Sequence, residues 1–260
     1  MAGRDMFDLS GRVALVTAGG HGLGRAYCEA MAEFGANVVC NDIDMKLAQE
    51  TVELVGRHGH RTTAIQADMS KPDEIERVVD QTVAEFGTID ILFCNAGIVN
   101  PMVPLHELAI EDWDRVMAVN LRGTFLCMRA VLPLMLKQRR GSIILTASVS
   151  GLRAGREPHC APYGATKAGM IGLTRHAAVA YAKEGVRVNA IAPGLHDTRP
   201  VGLGLSIEKQ EELKSILSPV IPIGRFGEPD EIKGLAVYLA SDASSYVTGQ
   251  VFVEDGGATA

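Results

Sequence analysis

The sequence predicts a doubly wound α/β fold, a parallel sheet of seven strands with helices on both faces, in a single domain over residues 1–260. Short apolar runs alternate with longer helical patterns along the whole chain. These runs lack the apolar–polar alternation of half-exposed strands, so both faces of the sheet are expected to be covered. A glycine-rich turn also follows the first run and opens a helix, as in doubly wound sheets with right-handed crossovers.

The strand predictions rest on apolar runs and the helix predictions on longer periodic stretches. Strands are predicted at 12–17, 37–40, 62–66, 90–94, 142–147, 187–192 and 250–254. Helices are predicted at 26–34, 46–58, 72–86, 111–137, 161–183 and 228–240, and the segment 195–226 is expected to be less regular. We find no internal repeat or linker that would divide the chain.

Composition excludes several functions. The net charge is -6 and Lys and Arg form no dense cluster, which disfavours nucleic acids and anionic membranes as partners. The apolar share of 47% suits a compact protein, and no stretch reaches 18 uncharged apolar residues, so no membrane span is expected.

The five cysteines form no Cys-x-x-Cys, and four of them lie in apolar runs (Cys28, Cys40, Cys94 and Cys127), so buried reduced thiols are expected. No secretion signal precedes the first strand, and a cytoplasmic location is expected. His58 and His60 could be a metal pair, but an exposed turn at a helix end explains them better, and no metal is expected.

The glycine-rich turn runs from Thr17 to Gly24 and lies between a strand and a helix. Backbone amides and the helix dipole at such a turn suit a pyrophosphate. The residues expected at a dinucleotide cofactor are Thr17, Gly19, His21, Gly22, Leu23 and Gly24, with His21 helping only if it is protonated. A tight strand-to-helix connection without a ligand is the alternative.

Asp42 ends the second predicted strand, where an acid takes the adenosine ribose hydroxyls and repels a 2′-phosphate. This position favours NAD, and Ile43 beside it is included in the expected cofactor site. The alternative is that Asp42 or Asp44 is an ordinary helix N-cap.

Polar residues also follow the third and fourth predicted strands. Asp68, with Met69, is placed to meet the adenine, although helix entry explains an Asp here equally well. The turn Asn95-Ala96-Gly97 lies where backbone approaches a bound cofactor, or is a turn without a ligand. Further along, Asn120 lies within a predicted helix as either a core hydrogen bond or part of a polar relay.

Tyr163 and Lys167 are four residues apart, which places them one helical turn apart on one face. A cation beside a phenol favours the phenolate, and bringing its pKa from about 10 to between 7 and 8 takes roughly 3 to 4 kcal/mol. Such a tyrosine can exchange a proton with an alcohol oxygen that Ser148 could also hydrogen-bond. The alternative is a solvated helix face.

Taken together, these motifs resemble the short-chain dehydrogenase/reductases, in the single-domain branch of about 250 residues with a Rossmann fold. The likeness covers almost the full chain. The matching positions are Thr17, Gly22 and Gly24; Asn95-Ala96-Gly97; Asn120; Ser148, Tyr163 and Lys167; Pro193-Gly194 with Thr198; Tyr246 to Gln250; and Asp255 to Gly257. Ala18 replaces a glycine of the family turn, and Gly19 is the alternative residue to absorb the unusual backbone shape.

The resemblance implies a role for each matched residue. Tyr163 is the general acid/base, Ser148 holds the substrate oxygen, Lys167 lowers the tyrosine pKa and binds the nicotinamide ribose, and Asn120 supports a water. Asn120, Ser148, Tyr163 and Lys167 are therefore the expected catalytic residues, while Pro193, Gly194 and Thr198 are expected to contact the nicotinamide carboxamide. The implied activity is NAD-dependent interconversion of a small-molecule secondary alcohol and a ketone, in a homotetramer.

The same resemblance locates the substrate site. The loop 152–161 carries Arg153, Arg156 and His159, a positive rim that suggests an acidic or strongly polar substrate unless it is a solvated surface loop. The segment 195–226, which begins with His196, corresponds to the family's substrate lid. Arg153, His159 and His196 are expected to bind substrate together with Ser148 and Tyr163.

Two rival functions stay open. An NADPH-dependent 3-oxoacyl reductase is the first, and Asp42 argues against it. A non-catalytic NAD-binding sensor is the second, although such a protein is expected to have lost a catalytic residue. Hydrolysis is disfavoured because Ser148 lacks a Gly-x-Ser-x-Gly turn.

Overall fold

The computed structural model describes residues 5–154, 160–198 and 207–260. Within these ranges, seven strands form one sheet with the order β3-β2-β1-β4-β5-β6-β7. The strands are β1 (Val13–Thr17), β2 (Asn37–Asp42), β3 (Thr62–Gln66), β4 (Ile91–Cys94), β5 (Gly141–Thr146), β6 (Val186–Pro193) and β7 (Val251–Glu254). Every neighbouring pair is parallel, which confirms the doubly wound sheet.

Helices cover both faces of the sheet, as predicted. They are α1 (Gly22–Glu33), α2 (Met45–Val55), α3 (Pro72–Phe86), α4 (Ile110–Val116), α5 (Gly123–Gln138), α6 (Ala161–Tyr181), α7 (Ile207–Leu217) and α8 (Lys233–Ala240). Buried residues of α1, α2 and α8 form one core layer against the strands, and those of α3, α5 and α6 form the other.

Two elements differ from the sequence prediction. The single helix predicted at 111–137 is interrupted by a π-helical stretch, Met117–Arg122, which includes Asn120. Such π turns are rare and occur often at functional sites. The segment 195–226 contains α7, whose Glu, Lys and Leu residues are good helix formers but make no strong apolar stripe.

The strand order places the functional edge. Because all strands are parallel, the carboxyl ends of β1, β2, β4, β5 and β6 lie along one edge of the sheet. The chain changes winding direction between β1 and β4, where open α/β sheets bind their ligands. The predicted site residues follow these strand ends.

Three findings bear on membranes, metals and disulfides. The helical run Ile110–Gln138 is long and apolar enough to cross a membrane by length and composition, but half of its most apolar window is buried in the protein, as in a core helix. The described residues contain no group of three or more His, Cys, Asp or Glu side chains placed to hold a metal ion. Cys28, Cys40, Cys94 and Cys127 are free and buried.

Candidate active site

The glycine-rich turn packs so closely that a side chain has no room. A Cβ on Gly24 would lie 1.9 Å from the carbonyl oxygen of Ala18 and 2.7 Å from Nδ2 of Asn95. Ala18 itself adopts the left-handed backbone conformation, with a φ of 50°. Gly19 therefore does not absorb the unusual shape of the turn, and Ala18 carries the strain that the family avoids with glycine.

The side chains of Thr17 and Asn95, two of the predicted cofactor contacts, hold this turn by hydrogen bonds. The Thr17 hydroxyl donates to the Phe93 carbonyl (3.1 Å) and accepts from the amides of Asn95 (2.9 Å) and Ala96 (3.1 Å). The Asn95 side chain donates to the carbonyls of Thr17 (3.2 Å) and Ala18 (3.1 Å). The Thr17 hydroxyl and the Asn95 side chain are thus used within the protein, where they link the ends of β1 and β4.

Asp42 is 3% exposed at the end of β2. Its carboxylate accepts from the amide of Gly20 (2.9 Å) and from the amide of Asp44 (3.0 Å), so it also fixes the glycine-rich turn. The N-cap of α2 is Asp44, whose side chain accepts from Lys46. The capping alternative therefore applies to Asp44 and not to Asp42.

The residues around this turn fit a dinucleotide. Nδ1 of His21 is buried without a hydrogen-bond partner among the described residues, directly before α1. The first amides of an α-helix have no partner within the helix, so the start of α1 offers donors to a phosphate. A Cβ on Gly22 would lie 3.0 Å from Thr198, and a cavity of about 420 Å³ opens beside both residues. Leu23 is half-buried in the same turn.

Three further predicted cofactor contacts, Ile43, Asp68 and Met69, differ in how open they are. Ile43 is 64% exposed and can be covered by a ring. The Asp68 carboxylate accepts from the Ser70 amide (2.8 Å) within its own loop. Met69 is 5% exposed and its sulfur contacts Cys127, so only its backbone is available to a cofactor.

Tyr163 and Lys167 do lie on one face of α6, since Nζ of Lys167 is 5.4 Å from the centre of the Tyr163 ring. Lys167 is 3% exposed, and its ammonium donates to the carbonyl of Thr146 (2.6 Å) at the end of β5. Burial lowers the pKa of this lysine to about 8. The carbonyl of β5 therefore holds the cation under the half-buried phenol.

Ser148 is 7% exposed and lies two residues beyond β5. Its hydroxyl accepts from the amide of Ser150 (3.1 Å), at the start of the short helix Val149–Gly151. That helix packs directly on α6, because a Cβ on Gly151 would lie 2.6 Å from the carbonyl carbon of Lys167. Ser148 is thereby held next to the helical turn that carries the phenol and the ammonium.

Asn120 is fully buried and hydrogen-bonded. Its amide accepts from the N–H of Ile98 (2.8 Å) and donates to the carbonyl of Ile98 (2.9 Å) and to the Thr166 hydroxyl (3.1 Å). The Thr166 hydroxyl in turn donates to the carbonyl of Tyr163 (2.7 Å). Asn120 therefore connects the loop after β4, which includes Gly97, to the turn of α6 that carries Tyr163 and Thr166.

One residue near the site escaped sequence reasoning. Asn100 is 1% exposed, and its side-chain carbonyl accepts from the amide of Tyr163 (3.4 Å) at the start of α6. Its amide donates to the carbonyl of Pro101 (2.8 Å). The Asn-Pro dipeptide indicates a turn, but nothing in the sequence indicates that the Asn100 side chain accepts a hydrogen bond from the first turn of α6.

The segment after β6 holds the remaining predicted contacts. Gly194 donates to the carbonyl of Glu254 (2.8 Å), and a Cβ on it would lie 2.7 Å from Asp255. Thr198 adjoins the glycine-rich turn and lines the cavity beside it, and Pro193 is the last residue of β6.

The predicted substrate residues are less convergent. The His196 side chain is only 4% exposed, and its Nε2 lies 3.6 Å from Oε1 of Glu254. Arg153 is exposed on the loop after Ser148. His159 and Arg156 lie outside the described residues.

A parallel α/β sheet with a glycine-rich turn after its first strand, and a Tyr and a buried Lys at the same sheet edge, is typical of nicotinamide-dependent oxidoreductases. A family model described as Enoyl-(Acyl carrier protein) reductase matches residues 17–259. The chain belongs to the short-chain dehydrogenase/reductase family and is an oxidoreductase of that family, whose members bind a nicotinamide cofactor.

Curated relatives match over nearly the whole chain. The chain is 40% identical to the 2,5-dichloro-2,5-cyclohexadiene-1,4-diol dehydrogenase of Sphingobium indicum, over 98% of this chain and 100% of that protein. It is 39% identical to the cis-4-hydroxycyclohexanecarboxylate dehydrogenase of Sinomonas cyclohexanicum (96% and 97%). It is also 39% identical to a 3-oxoacyl-[acyl-carrier-protein] reductase of Synechocystis (97% and 98%).

Solved structures share the fold. A short-chain type dehydrogenase/reductase from Mycobacterium marinum superposes with a TM-score of 0.92 at 37% identity, covering 98% of both chains. An NAD+-bound xylitol dehydrogenase (TM-score 0.87, 29% identity, 96% and 99% covered) and an NADPH-dependent 3-quinuclidinone reductase from Rhodotorula rubra (0.88, 30%, 98% and 94%) are also similar. The fold alone therefore does not choose between the two nicotinamide cofactors.

Proposed function

We propose that this protein is an NAD-dependent dehydrogenase that interconverts a secondary alcohol and a ketone. The observation that carries the proposal is the convergence of Tyr163, Lys167 and Ser148 at the sheet edge beside the dinucleotide crevice. Asn120 and Asn100 hold the same helical turn through hydrogen bonds from the loop after β4.

The chain's own residues handle the proton and the orientation of the substrate. Bound NAD supplies a hydride acceptor at the nicotinamide ring. Tyr163 takes the proton of the alcohol oxygen, and Ser148 hydrogen-bonds the same oxygen. The buried Lys167 ammonium favours the phenolate form of Tyr163, so this tyrosine can act as a base. In the reverse direction Tyr163 returns the proton to the ketone oxygen.

Asp42 supports NAD over NADP, because its buried carboxylate would face the 2′-phosphate of NADP. In the Asp42→Asn variant, the ratio of kcat/KM with NAD to kcat/KM with NADP should fall by about 10-fold or more, since repulsion of roughly 1 to 2 kcal/mol is removed. Asparagine keeps the size of the side chain and one acceptor for the Gly20 amide.

Asp44→Asn is the matched control, because Asp44 only caps α2 and asparagine caps equally well. Its cofactor ratio should match the wild type. A wild-type enzyme that prefers NADP, or an unchanged ratio in Asp42→Asn, would remove the cofactor assignment. It would favour the NADPH-dependent 3-oxoacyl reductase instead.

A cyclic secondary alcohol is the proposed substrate. Two similar relatives carry the names of dehydrogenases for a cyclohexadiene diol and a hydroxycyclohexane carboxylate. The exposed Arg153 supports a carboxylate or another strongly polar substituent on the substrate. The alternative is a 3-oxoacyl chain, which the Synechocystis relative favours.

The test is NADH formation at 340 nm over a panel of cyclohexanols, cyclohexane diols, hydroxycyclohexane carboxylates and open-chain 3-hydroxyacyl thioesters. Turnover of the ring compounds supports the proposal. Turnover of the thioesters alone, with NADPH as the reverse cofactor, supports the reductase. NAD binding without turnover of any alcohol or ketone supports a non-catalytic sensor.

The remaining assignments are also proposals. Exposed apolar side chains on α4, α5 and α6 support a homotetramer: Ile110 is 73%, Phe125 49% and Val179 84% exposed. Sedimentation equilibrium that gives the mass of one chain would exclude it. Four buried free thiols (Cys28, Cys40, Cys94 and Cys127) support a cytoplasmic location, which cell fractionation tests. We further propose that residues 195–226 form a lid over the substrate.

A further inference from the structure

The two ends of the proposed lid are joined to each other. His196 and Gly227 form an isolated parallel β-bridge. The amide of Gly227 donates to the carbonyl of Leu195 (2.9 Å), and the amide of Asp197 donates to the carbonyl of Gly227 (2.9 Å). We call residues 195–197 together with Gly227 the lid neck. Whatever holds this neck also fixes where the lid leaves the sheet.

The His196 ring fills the space between the lid neck and the sheet. Its Nδ1 lies 3.2 Å from the carbonyl oxygen of Gly194, and its Nε2 lies 3.6 Å from Oε1 of Glu254. A Cβ on Gly227 would lie 2.7 Å from Cδ2 of the ring, so the two ends of the lid close around the imidazole. The ring thus lies between Gly194 after β6, Glu254 at the end of β7, and Gly227.

Glu254 is the last residue of β7 and pairs in register with Pro193. Its Oε2 is buried without a hydrogen-bond partner among the described residues, as are the hydroxyls of Tyr27 and Thr146. Burial, with a further contribution from the Glu254 charge, raises the pKa of Tyr27, so this phenol stays neutral beside the carboxylate. The Glu254 side chain is 27% exposed, and its carboxylate lies within ion-pair distance of the His196 ring, which is 4% exposed.

Several charged groups act on His196. Burial lowers the pKa of the imidazole, but Glu254, the Gly194 carbonyl and the charge of Glu231 outweigh burial, so the pKa is raised above its ordinary value of 6.5. From α7, Lys214 pairs with Asp197 of the lid neck, next to the ring. These groups leave the imidazole positively charged over a wider pH range than a free histidine.

We propose that His196 and Glu254 form a latch that holds the lid neck against the end of the sheet. His196 is then a positioning residue for Pro193, Gly194 and Thr198, the residues that border the nicotinamide end of the crevice. The link to the cofactor rests on the proposed function, whereas the latch itself does not.

The latch has a defined pH dependence. Below about pH 6.5 the imidazole is charged in both the folded and unfolded chain, and the latch contributes fully. As the pH rises through the raised folded pKa, the imidazole loses its charge and the contribution is lost. The lid neck should therefore be held less firmly at pH 8.5 than at pH 6, and α7, which Lys214 joins to the neck, should be less protected.

Hydrogen–deuterium exchange of the cofactor-free protein measures this directly, with labelling times scaled for the chemical exchange rate at each pH. In the wild type, α7 should exchange at least about 5-fold faster at pH 8.5 than at pH 6, because the imidazole of His196 loses its charge between these pH values. The variants His196→Gln, Glu254→Gln and the double variant should show the fast exchange at both pH values. His196→Gln leaves the Glu254 charge without its partner and could fail to fold. The double variant has neither charge, so its exchange can still be measured.

The chain offers a matched control in His106 and Glu107, an exposed pair 3.4 Å apart with side chains 82% and 60% exposed. His106→Gln should behave as the wild type.

In calorimetric titrations, the Kd for NAD should rise about 5- to 10-fold in each latch variant and equally in the double variant, because the two residues act as a unit.

The latch would be overturned if the exchange of α7 did not differ between the wild type and the double variant at pH 6. A Kd for NAD within twofold of wild type in all latch variants, with faster exchange, would overturn the positioning role. Failure of the proposed function is a separate result, since a wild type that oxidises no alcohol can still show the pH-dependent exchange.

Discussion

The Tyr163→Phe variant is expected to lose at least about 100-fold in turnover while its Kd for NAD stays within about twofold of the wild type. Phenylalanine keeps the ring that Lys167 faces and removes only the hydroxyl that exchanges the proton. NADH formation at 340 nm gives the turnover, and calorimetric titration gives the Kd. Loss of turnover without loss of binding assigns the phenol to the chemical step.

Tyr181→Phe is the matched control for that variant. Tyr181 ends the same helix and packs partly buried against the core, far from the sheet edge that carries the site. It should keep wild-type turnover. Near-normal turnover in Tyr163→Phe, or an equal loss in Tyr181→Phe, would show that the phenol of Tyr163 is not the acid/base.

The Lys167→Met variant is expected to lose turnover by at least about 100-fold and yet to be more resistant to unfolding than the wild type. Burial lowers the pKa of Lys167 to about 8 from 10.5, so its ammonium costs the folded state roughly 3 kcal/mol at neutral pH. Methionine has similar length and no charge. Leaving the Thr146 carbonyl without its donor offsets about 1 kcal/mol or more, so a net gain of about 1 to 2 kcal/mol is expected.

The pH dependence of this gain follows from the sign of the pKa shift. Below pH 8 the lysine is charged in both states, and its full cost is present. Between pH 8 and 10.5 the folded lysine loses its proton first, so the wild type should approach the stability of the variant. Urea unfolding of both proteins at pH 7 and pH 10 measures the difference.

Lys183→Met is the control, because Lys183 is exposed just beyond α6 and should change neither turnover nor stability by much. If Lys167→Met unfolds at lower urea than the wild type at pH 7, the buried ammonium is a stabilising group. The prediction that burying the Lys167 ammonium destabilises the folded protein would then be wrong.

The sequence predicted the layers of the fold well, because strand order follows from uninterrupted apolar runs and right-handed crossovers. It predicted the limits of α3 correctly, since Pro72 and Gly87 mark a helix start and end by local chemistry. The π-helical stretch around Asn120 was not predictable. It depends on hydrogen bonds to Ile98 and Thr166, which are distant in sequence.

Within the site, too, local geometry was predictable from the sequence, whereas contacts between distant residues were not. The spacing of Tyr163 and Lys167 placed them on one helix face, because helix geometry is local. That Lys167 is buried and held by the Thr146 carbonyl could not be read from the sequence, because a backbone contact leaves no residue signature. His196 was expected at the substrate, and its burial against Glu254 depends on how the ends of β6 and β7 meet.

A crystal structure of the protein with bound NAD tests the central claim most directly. The account predicts that the Tyr163 and Ser148 hydroxyls point to one position above the nicotinamide, with Nζ of Lys167 within about 3.2 Å of a ribose hydroxyl. A Tyr163 hydroxyl turned away from the nicotinamide, or a Lys167 ammonium beyond hydrogen-bond reach of the ribose, would contradict it.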